Sequence, residues 1–249
     1  MNNLASKALV AALVLVGGFS QPLSAQDVAA PSVTPSTVAA PITYKPFRRG
    51  ITKTQQLPAG LQNLRRSLIA GTGLRTADLR ALADAGDSLA QMRFAKQLSD
   101  MADPTLVRAQ LHYYAMAAYN GRDGAVRPML SLLRTHGATL DDAVLNNAEA
   151  ALIAQAAHGQ ADAIAGLAKF YLAGTPFGAK GQEGMDMMSR VANSGDHQAA
   201  LDLALQLIGD RPDGSGLEEA RVYLEIAASS PDLAVRTTAL SLLNTGGEI

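Results

Sequence analysis

Four histidines are the residues of this chain best suited to metal binding or proton transfer: His112, His136, His158 and His197. None stands beside another histidine or a cysteine at the spacing of a metal site, and no His-Glu-x-x-His sequence occurs. His136, His158 and His197 fall near expected helix ends, where a cation complements the helix dipole. We therefore predict no catalytic residue, no metal ligand and no cofactor-binding residue among them.

Paired carboxylates are a second candidate for chemistry, because two of them can share acid and base roles. Asp141 and Asp142 are adjacent and precede an apolar run. Acidic residues at the start of a helix cap free N–H groups and suit the dipole. The pair is therefore interpreted as a helix start, and Asp123 and Asp196 have the same interpretation.

Two glycine-containing segments match ligand-binding loops only in part. Gly178–Gly184 has the glycines of a phosphate loop, but it lacks the Lys-Ser/Thr pair and no strand precedes it. Asp210–Glu219 contains acids and glycines, but Pro212 occupies the third position, where a calcium loop needs a ligand. Both segments are interpreted as loops between helices, and the chain is predicted not to be an enzyme.

Glycines recur at a regular interval along the chain and mark a repeat that contains the residues discussed above. Gly86, Gly121, Gly159, Gly195 and Ser230 are separated by 35, 38, 36 and 35 residues. Each follows one apolar run and precedes another, which indicates two helices per unit with a helix end at the glycine. A period of about 35 residues with two helices per unit is typical of an α-solenoid.

Residue types also repeat at steps of four after each of the four glycines. The first position is alanine, and the next two positions hold large apolar residues. Since a step of four stays on one helix face, these positions predict a buried stripe on the first helix of every unit. In chain order the three sets are Ala90, Ala125, Ala163 and Ala199; Phe94, Met129, Leu167 and Leu203; and Leu98, Leu133, Tyr171 and Leu207.

The second helix of each unit repeats as well. Large residues stand seven positions before the closing Gly or Ser, and small pairs follow them. The large residues are Tyr114, Leu152, Met188 and Tyr223, and the pairs are Ala117-Ala118, Ala156-Ala157, Val191-Ala192 and Ala227-Ala228. Tyr114 is therefore interpreted as a packing residue. This packing role argues against the other interpretation of its cluster with Tyr113 and Tyr119, as a site for sugars or nucleic acid.

These patterns predict an all-α protein, an α-solenoid of stacked antiparallel helix pairs over residues 61–245. Pro128 lies within the first helix of the second unit, so that helix should begin near Ala125 and leave the proline in its first turn. The predicted units are approximately 61–86, 87–121, 122–159, 160–195 and 196–230, with a capping helix over 231–245.

The N-terminal residues predict export. One positive charge precedes the apolar run Ala8–Phe19, which at twelve residues is shorter than the ~20 of a membrane span. We predict a signal peptide over 1–25, cut after Ala25, and a periplasmic or secreted protein without stable membrane insertion; a retained anchor is the disfavoured alternative. The absence of cysteine excludes disulfides and a lipid-modified cysteine at the N-terminus.

Five prolines between 26 and 60 predict an extended, disordered linker.

Charge is unevenly distributed, although the net charge of the 249 residues is −1. Lys45–Arg80 contains eight basic residues and one acidic residue, whereas 81–249 contains 12 basic and 20 acidic residues. One interpretation is a solvated acidic domain with a basic lead-in. The other is that the basic segment folds onto the acidic repeats or docks on an anionic partner, such as a polysaccharide or a membrane surface. A folded part with net negative charge is expected to bind nucleic acid poorly, so no nucleic-acid partner is predicted.

The best-preserved unit resembles a known family. Ala163-x-x-x-Leu167-Ala168-x-x-Tyr171-x-x-Gly174, a glycine-bearing loop and a helix ending Ala192-x-x-Gly195 are similar to the Sel1-like repeat, a relative of the tetratricopeptide repeat. The resemblance implies an adaptor that holds other proteins, and exported bacterial members are similar to regulators and scaffolds of envelope signalling and exopolysaccharide secretion. The predicted function is thus a non-enzymatic periplasmic adaptor. The alternative is a component of an exopolysaccharide assembly that contacts glycan or secretion proteins.

Overall fold

A computed structural model describes residues 47, 49–210 and 215–245, all of which lie in one compact unit. These residues form α-helices joined by short 3-10 turns and loops, and they contain no strand, so the all-α prediction is confirmed for this part of the chain. The helices are α1 (Ala59–Ile69), α2 (Thr76–Asp84), α3 (Ser88–Asp100), α4 (Val107–Tyr119), α5 (Val126–His136), α6 (Asp142–Ala157), α7 (Ala161–Ala173), α8 (Gly181–Asn193), α9 (His197–Asp210), α10 (Ser215–Ala228) and α11 (Leu233–Thr245).

Helices that are close in sequence pack against one another. The broadest contacts join α3 to α4, α7 to α8 and α9 to α10, and further contacts join α4 to α6, α6 to α7 and α8 to α9. Helix α11 packs on α10 and α9. The described residues therefore form a helical-repeat-like arrangement of neighbouring helices, in which α5 packs mainly on α4 and little on α6.

The predicted stripe on the first helix of each unit is buried in all four units. The twelve residues at its three repeating positions, from Ala90 to Leu207, are each at most 3% exposed. Alanine is found where the helix starts because its small side chain lets a neighbouring helix approach. The larger residues one and two turns later fill the space between helices. Pro128 is the third residue of α5, which begins at Val126, so the prediction that the proline falls in a first turn is confirmed.

Glycine ends the second helix of the first four units because the chain there turns into the left-handed region. Gly86, Gly121, Gly159 and Gly195 have φ between 80° and 96°. Each glycine N–H donates to the carbonyl three residues back, and the following N–H donates to the carbonyl five residues back. This pair of bonds satisfies carbonyls that the helix leaves free, and a side chain at the glycine would be strained. The repeating glycine is therefore a chain-reversal signal between units.

The small pair Ala156-Ala157 of α6 is offset by one residue from the pairs of the neighbouring units. Ala157 is exposed, and Gln155 occupies the position that corresponds to Ala117 and Val191 in the neighbouring units. Gln155 is 1% exposed, and its Nε2 donates to the carbonyl of Ala118 at 2.6 Å. A buried amide was not expected at a small apolar position. Its Nε2 satisfies a carbonyl in the last turn of α4, whereas its buried Oε1 has no hydrogen-bond partner among the described residues.

The predicted linker ends earlier than Gly60. Residues 49–60 pack on the helices: Thr54–Gln56 form a 3-10 turn, α1 begins at Ala59, and Leu57 is 4% exposed. The N–H of Ile51 donates to the carbonyl of Gly86 at 3.0 Å. Pro58, the one proline of this stretch, does not prevent packing, because it lies directly before the first helical residue and interrupts no helical hydrogen bond. The signal peptide over 1–25 and linker residues 26–46 lie outside the described residues.

The hydrophobic core consists of two clusters that meet at α7. The first runs from Leu57 to Tyr171 and includes Leu167 and Phe170. The second begins at Ala168 and reaches Ala239 in α11. Helix α7 therefore contributes one face to each cluster. No helix within the described residues is both long enough and apolar enough to cross a membrane.

Ion pairs also link successive units at the repeat spacing. Arg108 contacts Asp141 at 3.1 Å, Arg127 contacts Asp162 at 2.8 Å and Lys169 contacts Asp202 at 2.6 Å. All three pairs are partly exposed, so each adds little to stability. Each pair joins a residue of one unit to a residue of the next unit, although the three pairs lie at different positions of the repeat.

Candidate binding groove

The histidines lie where the repeat places them, with one difference. His136 is the last residue of α5 and His158 directly follows α6, as predicted. His197 is instead the first residue of α9, where a cation opposes the helix dipole, so the proposed reason for it is wrong. Its Nε2 lies 3.1 Å from Oγ of Ser229 in the next helix. No group of three or more His, Cys, Asp or Glu side chains within the described residues could hold a metal ion.

The candidate carboxylates serve as helix caps at two of three positions. Asp141 accepts from the N–H of Val144 at 3.2 Å, and Asp196 accepts from the N–H of Ala199 at 3.0 Å. This confirms the interpretation of these two residues as helix starts. Asp123 instead begins a short 3-10 turn, and α5 has no side-chain cap.

The glycine loop between α7 and α8 uses its lysine in an internal contact. Lys180 Nζ donates to Glu149 Oε1 at 2.6 Å and lies 4.4 Å from the centre of the Tyr171 ring. Tyr171 Oη donates to the same carboxylate oxygen at 2.8 Å. Burial, followed by this carboxylate, raises the pKa of Tyr171 to about 12. The lysine is thus committed to holding the loop on α6 and α7.

The tyrosine cluster separates into buried and exposed members. Tyr114 is 6% exposed, which confirms its interpretation as a packing residue, and its neighbour Tyr113 is 0% exposed. Tyr113 Oη donates to Asp84 Oδ1 at 2.6 Å, and burial with this bond raises its pKa. Tyr119 is 39% exposed, and its ring lies 5.0 Å from that of Phe47.

His112 is the one of the four histidines for which the sequence predicted no place at a helix end, and it is buried. It is 6% exposed, and burial lowers its pKa to about 4, an effect that Asp84 opposes and Arg108 reinforces. The unfolded chain takes up this proton near pH 6.5, whereas the folded chain does so only near pH 4. The contribution of neutral His112 to stability is therefore complete above pH 6.5 and is lost as the pH falls towards 4.

This shift predicts a pH-dependent free energy of unfolding. The wild type should lose up to about 3 kcal/mol through His112 between pH 7 and pH 4. Urea denaturation across this interval should show a shallower pH slope for His112→Asn than for the wild type. The exposed His158→Asn variant is the control and should keep the wild-type slope. Equal slopes in all three proteins would contradict this role of His112.

A groove forms where the N-terminal segment meets the helix pairs. We call it the junction groove; its volume is about 700 Å³, larger than two other surface cavities of about 520 and 360 Å³. Residues 49–52, the start of α3 and the ends of α4 and α6 surround it. Its polar side chains include Arg49, Thr52, Arg65, Ser88, Arg122 and His158.

Arg65 joins the N-terminal segment to the start of α3. Its Nε contacts Asp87 Oδ2 at 2.6 Å, and its Nη1 donates to Thr54 Oγ1 at 2.6 Å. The other oxygen of Asp87 accepts from the N–H of Ala90 at 2.8 Å and so caps α3. This contact favours the interpretation in which the basic segment folds onto the repeats. Lys45 and Arg48, which also belong to that segment, lie outside the described residues.

Gly50 holds the edge of the junction groove against α4. Its N–H donates to Asn120 Oδ1 at 2.6 Å, and a Cβ atom there would lie 2.7 Å from Asn120 Cγ and 2.9 Å from the carbonyl oxygen of Gly86. Gly50 is needed because of this close approach. Sequence reasoning missed the groove because its residues come from five separate segments and form no motif.

The close approach predicts that Gly50→Ala releases the N-terminal segment. Its Cβ should break the Asn120 contact and the neighbouring bond from Ile51, while the buried stripe remains packed. Tryptic cleavage after Lys53 should become several-fold faster, with the main thermal transition shifted by less than the effect of a core substitution. Gly60→Ala is the control, because a Cβ atom there meets nothing within 4 Å. Unchanged cleavage in Gly50→Ala would show that the contact does not hold the segment.

No protein-family model, no curated protein and no solved structure matches this chain. The junction groove is therefore interpreted from its own residues.

Proposed function

We propose that this chain is a non-enzymatic adaptor of the envelope, an α-solenoid of the Sel1-like kind that is exported to the periplasm and holds another protein on its surface. The observation that carries the proposal is the helical-repeat-like packing, in which equivalent residues of successive units are buried. Stacked units of this kind present extended surfaces, which suit segments of other proteins.

The positions that repeat do not define the partner. Residues such as Leu167 and Met188 are spent on packing between helices, with exposures of 0% and 1%. The partner must therefore be recognised by residues that vary from unit to unit. The junction groove is the described surface that combines a sizeable cavity with several charged side chains. The junction groove therefore supports binding as the activity of the protein, and its residues are the ones to substitute in a binding test.

Export is supported by the N-terminal residues, with their short apolar run and the small residues Ser24 and Ala25. Cell fractionation with N-terminal sequencing tests it. A periplasmic protein that begins at Gln26 is expected. A chain that still begins at Met1 in the cytoplasm would contradict it.

The adaptor function is tested by affinity capture of the tagged full chain from the envelope fraction. A protein recovered in stoichiometric amount is expected, and a variant with unfolded repeats, Leu167→Asp, should not recover it. Recovery of glycan alone would refute the adaptor proposal. Recovery of neither would do the same.

A second candidate is a component of an exopolysaccharide assembly that contacts glycan or secretion proteins. The arginines of the junction groove favour it, because guanidinium groups also pair with the carboxylates of acidic sugars. The same capture experiment separates the two candidates by the chemistry of what is recovered.

A further inference from the structure

The junction groove carries unbalanced positive charge. Arg65 is matched by Asp87, whereas Arg49 and Arg122 form no ion pair within the described residues. Arg49 is exposed, and Arg122 is half-buried and donates from Nε to Ser88 Oγ at 3.0 Å. Two guanidinium groups are thus available to a ligand on one side of the fold, which makes the groove suited to an anion.

The remaining polar groups of the groove contribute less to ligand recognition than the two arginines do. The amide of Asn120 is already engaged, since its oxygen accepts from Gly50 and its nitrogen donates to the carbonyl of Met116 at 2.9 Å. The hydroxyl of Thr52 and the ring of His158 are exposed beside the arginines. A ligand would therefore be recognised by the arginine forks, which match the geometry of carboxylate groups.

The surroundings favour this groove over other surfaces for an acidic ligand. Residues 81–249 carry eight more acidic than basic residues. That excess repels an acidic ligand from most of the helical surface, whereas the groove attracts it. Opposite charges on one fold favour the basic groove over the acidic parts of the helical surface.

The aromatic group beside the groove favours a peptide over a sugar. Tyr119 is the tyrosine at the groove, and the Phe47 ring packs against it with an interplanar angle of 40°. Its ring is thereby held in an internal contact, whereas sugars are commonly bound on an open ring face. The volume of about 700 Å³ lies within the range of ligand pockets and accommodates a short extended segment.

We propose that the junction groove binds an acidic, extended segment of a partner protein, with Arg49 and Arg122 pairing its carboxylates. This inference rests on the proposed adaptor function and names the chemistry of the partner. The half-buried Arg122 holds the segment at the end of α4, and the exposed Arg49 contacts it from the N-terminal side. Binding weakens as salt is added, because both pairs lie at the surface.

The test uses the full chain and a fluorescein-labelled octaglutamate peptide at low ionic strength, with octaglutamine as the uncharged peptide. Fluorescence anisotropy should show binding of octaglutamate and none of octaglutamine. The double variant Arg49→Gln/Arg122→Gln should bind at least about tenfold more weakly, since it loses two charge-assisted hydrogen bonds. Circular dichroism checks that the variant is folded, and Arg49→Gln alone avoids the contact of Arg122 with Ser88.

The matched control is Arg134→Gln/Arg190→Gln, which removes two exposed charges from α5 and α8, outside the groove. It should retain octaglutamate binding. Equal weakening by both double variants would overturn the proposal, because net charge alone would then explain binding. Binding of polygalacturonate oligomers without binding of octaglutamate would overturn it in favour of a glycan.

Failure of this inference is distinguishable from failure of the adaptor function. If the wild type captures a protein from the envelope and Arg49→Gln/Arg122→Gln captures it equally well, the adaptor function stands and the groove is wrong. If the wild type captures no protein, the adaptor function itself is wrong.

Discussion

Replacing Leu167 by Asp is expected to unfold the centre of the helical stack. Leu167 is 0% exposed and lies on α7, the helix at which the two core clusters meet. Removal of a buried leucine side chain alone costs about 2–5 kcal/mol, and a buried unpaired carboxylate costs several more. The sum approaches the whole stability of a typical domain, about 5–15 kcal/mol. Helical circular dichroism at 25 °C should therefore fall in this variant, with loss of the cooperative thermal transition.

Two variants serve as controls for Leu167→Asp. Leu167→Met nearly conserves volume and should cost less than about 1.5 kcal/mol. Leu205→Asp makes the same chemical change on α9 at a side chain that is 45% exposed, and it should cost less than about 1 kcal/mol. A Leu167→Asp protein with the wild-type melting temperature would show that the repeat alignment places this residue wrongly.

Replacing Arg65 by Met should produce the second largest loss of stability. The side chains of Arg65 and Asp87 are 15% and 3% exposed, so the substitution leaves a carboxylate buried without its partner. Breaking a buried pair in this way costs about 3–5 kcal/mol. Asp87 also caps α3, so the N-terminal segment, the groove and the first helix pair should loosen together. Urea denaturation measures the change in the free energy of unfolding.

A double variant distinguishes the two roles of Asp87, its charge beside Arg65 and its capping bond to α3. Asn at position 87 still accepts the capping bond but carries no charge. Arg65→Met/Asp87→Asn should therefore be more stable than Arg65→Met alone. The exposed pair of Arg75 and Asp78, in which Arg75 is 84% exposed, provides the control, and Arg75→Met should cost less than about 1 kcal/mol. Equal losses in Arg65→Met and Arg75→Met would contradict the importance of burial.

The repeat could be predicted because its signals are local. A glycine with positive φ ends the second helix of the first four units, and residues at steps of four share one helix face, so spacing alone located positions such as Ala163 and Leu203. Gln155 broke the pattern for a reason that spacing does not contain. Its amide is buried because the carbonyl of Ala118, 37 residues earlier, lies within hydrogen-bond distance.

The groove could not be predicted because it depends on contacts between distant segments. Composition around Pro58 indicated a linker, whereas residues 49–60 pack through the bond from Gly50 to Asn120, 70 residues away. No property of Gly50 in the sequence identifies that partner. The basic character of Lys45–Arg80 was visible, but its pairing with the cap of α3 required the fold.

The ion pairs between successive units have a consequence for the order in which the chain folds. Arg108, Arg127 and Lys169 each reach a partner only one unit further along, and the packed helices are likewise near neighbours in sequence. Apart from the N-terminal segment, whose Gly50 bonds to Asn120, each unit therefore finds its main partners in the next unit. The buried residues of the first core cluster end at Tyr171, so this cluster is complete once α7 is present, and the second cluster can then form on an existing surface. Folding can proceed from the N-terminal pairs towards α11.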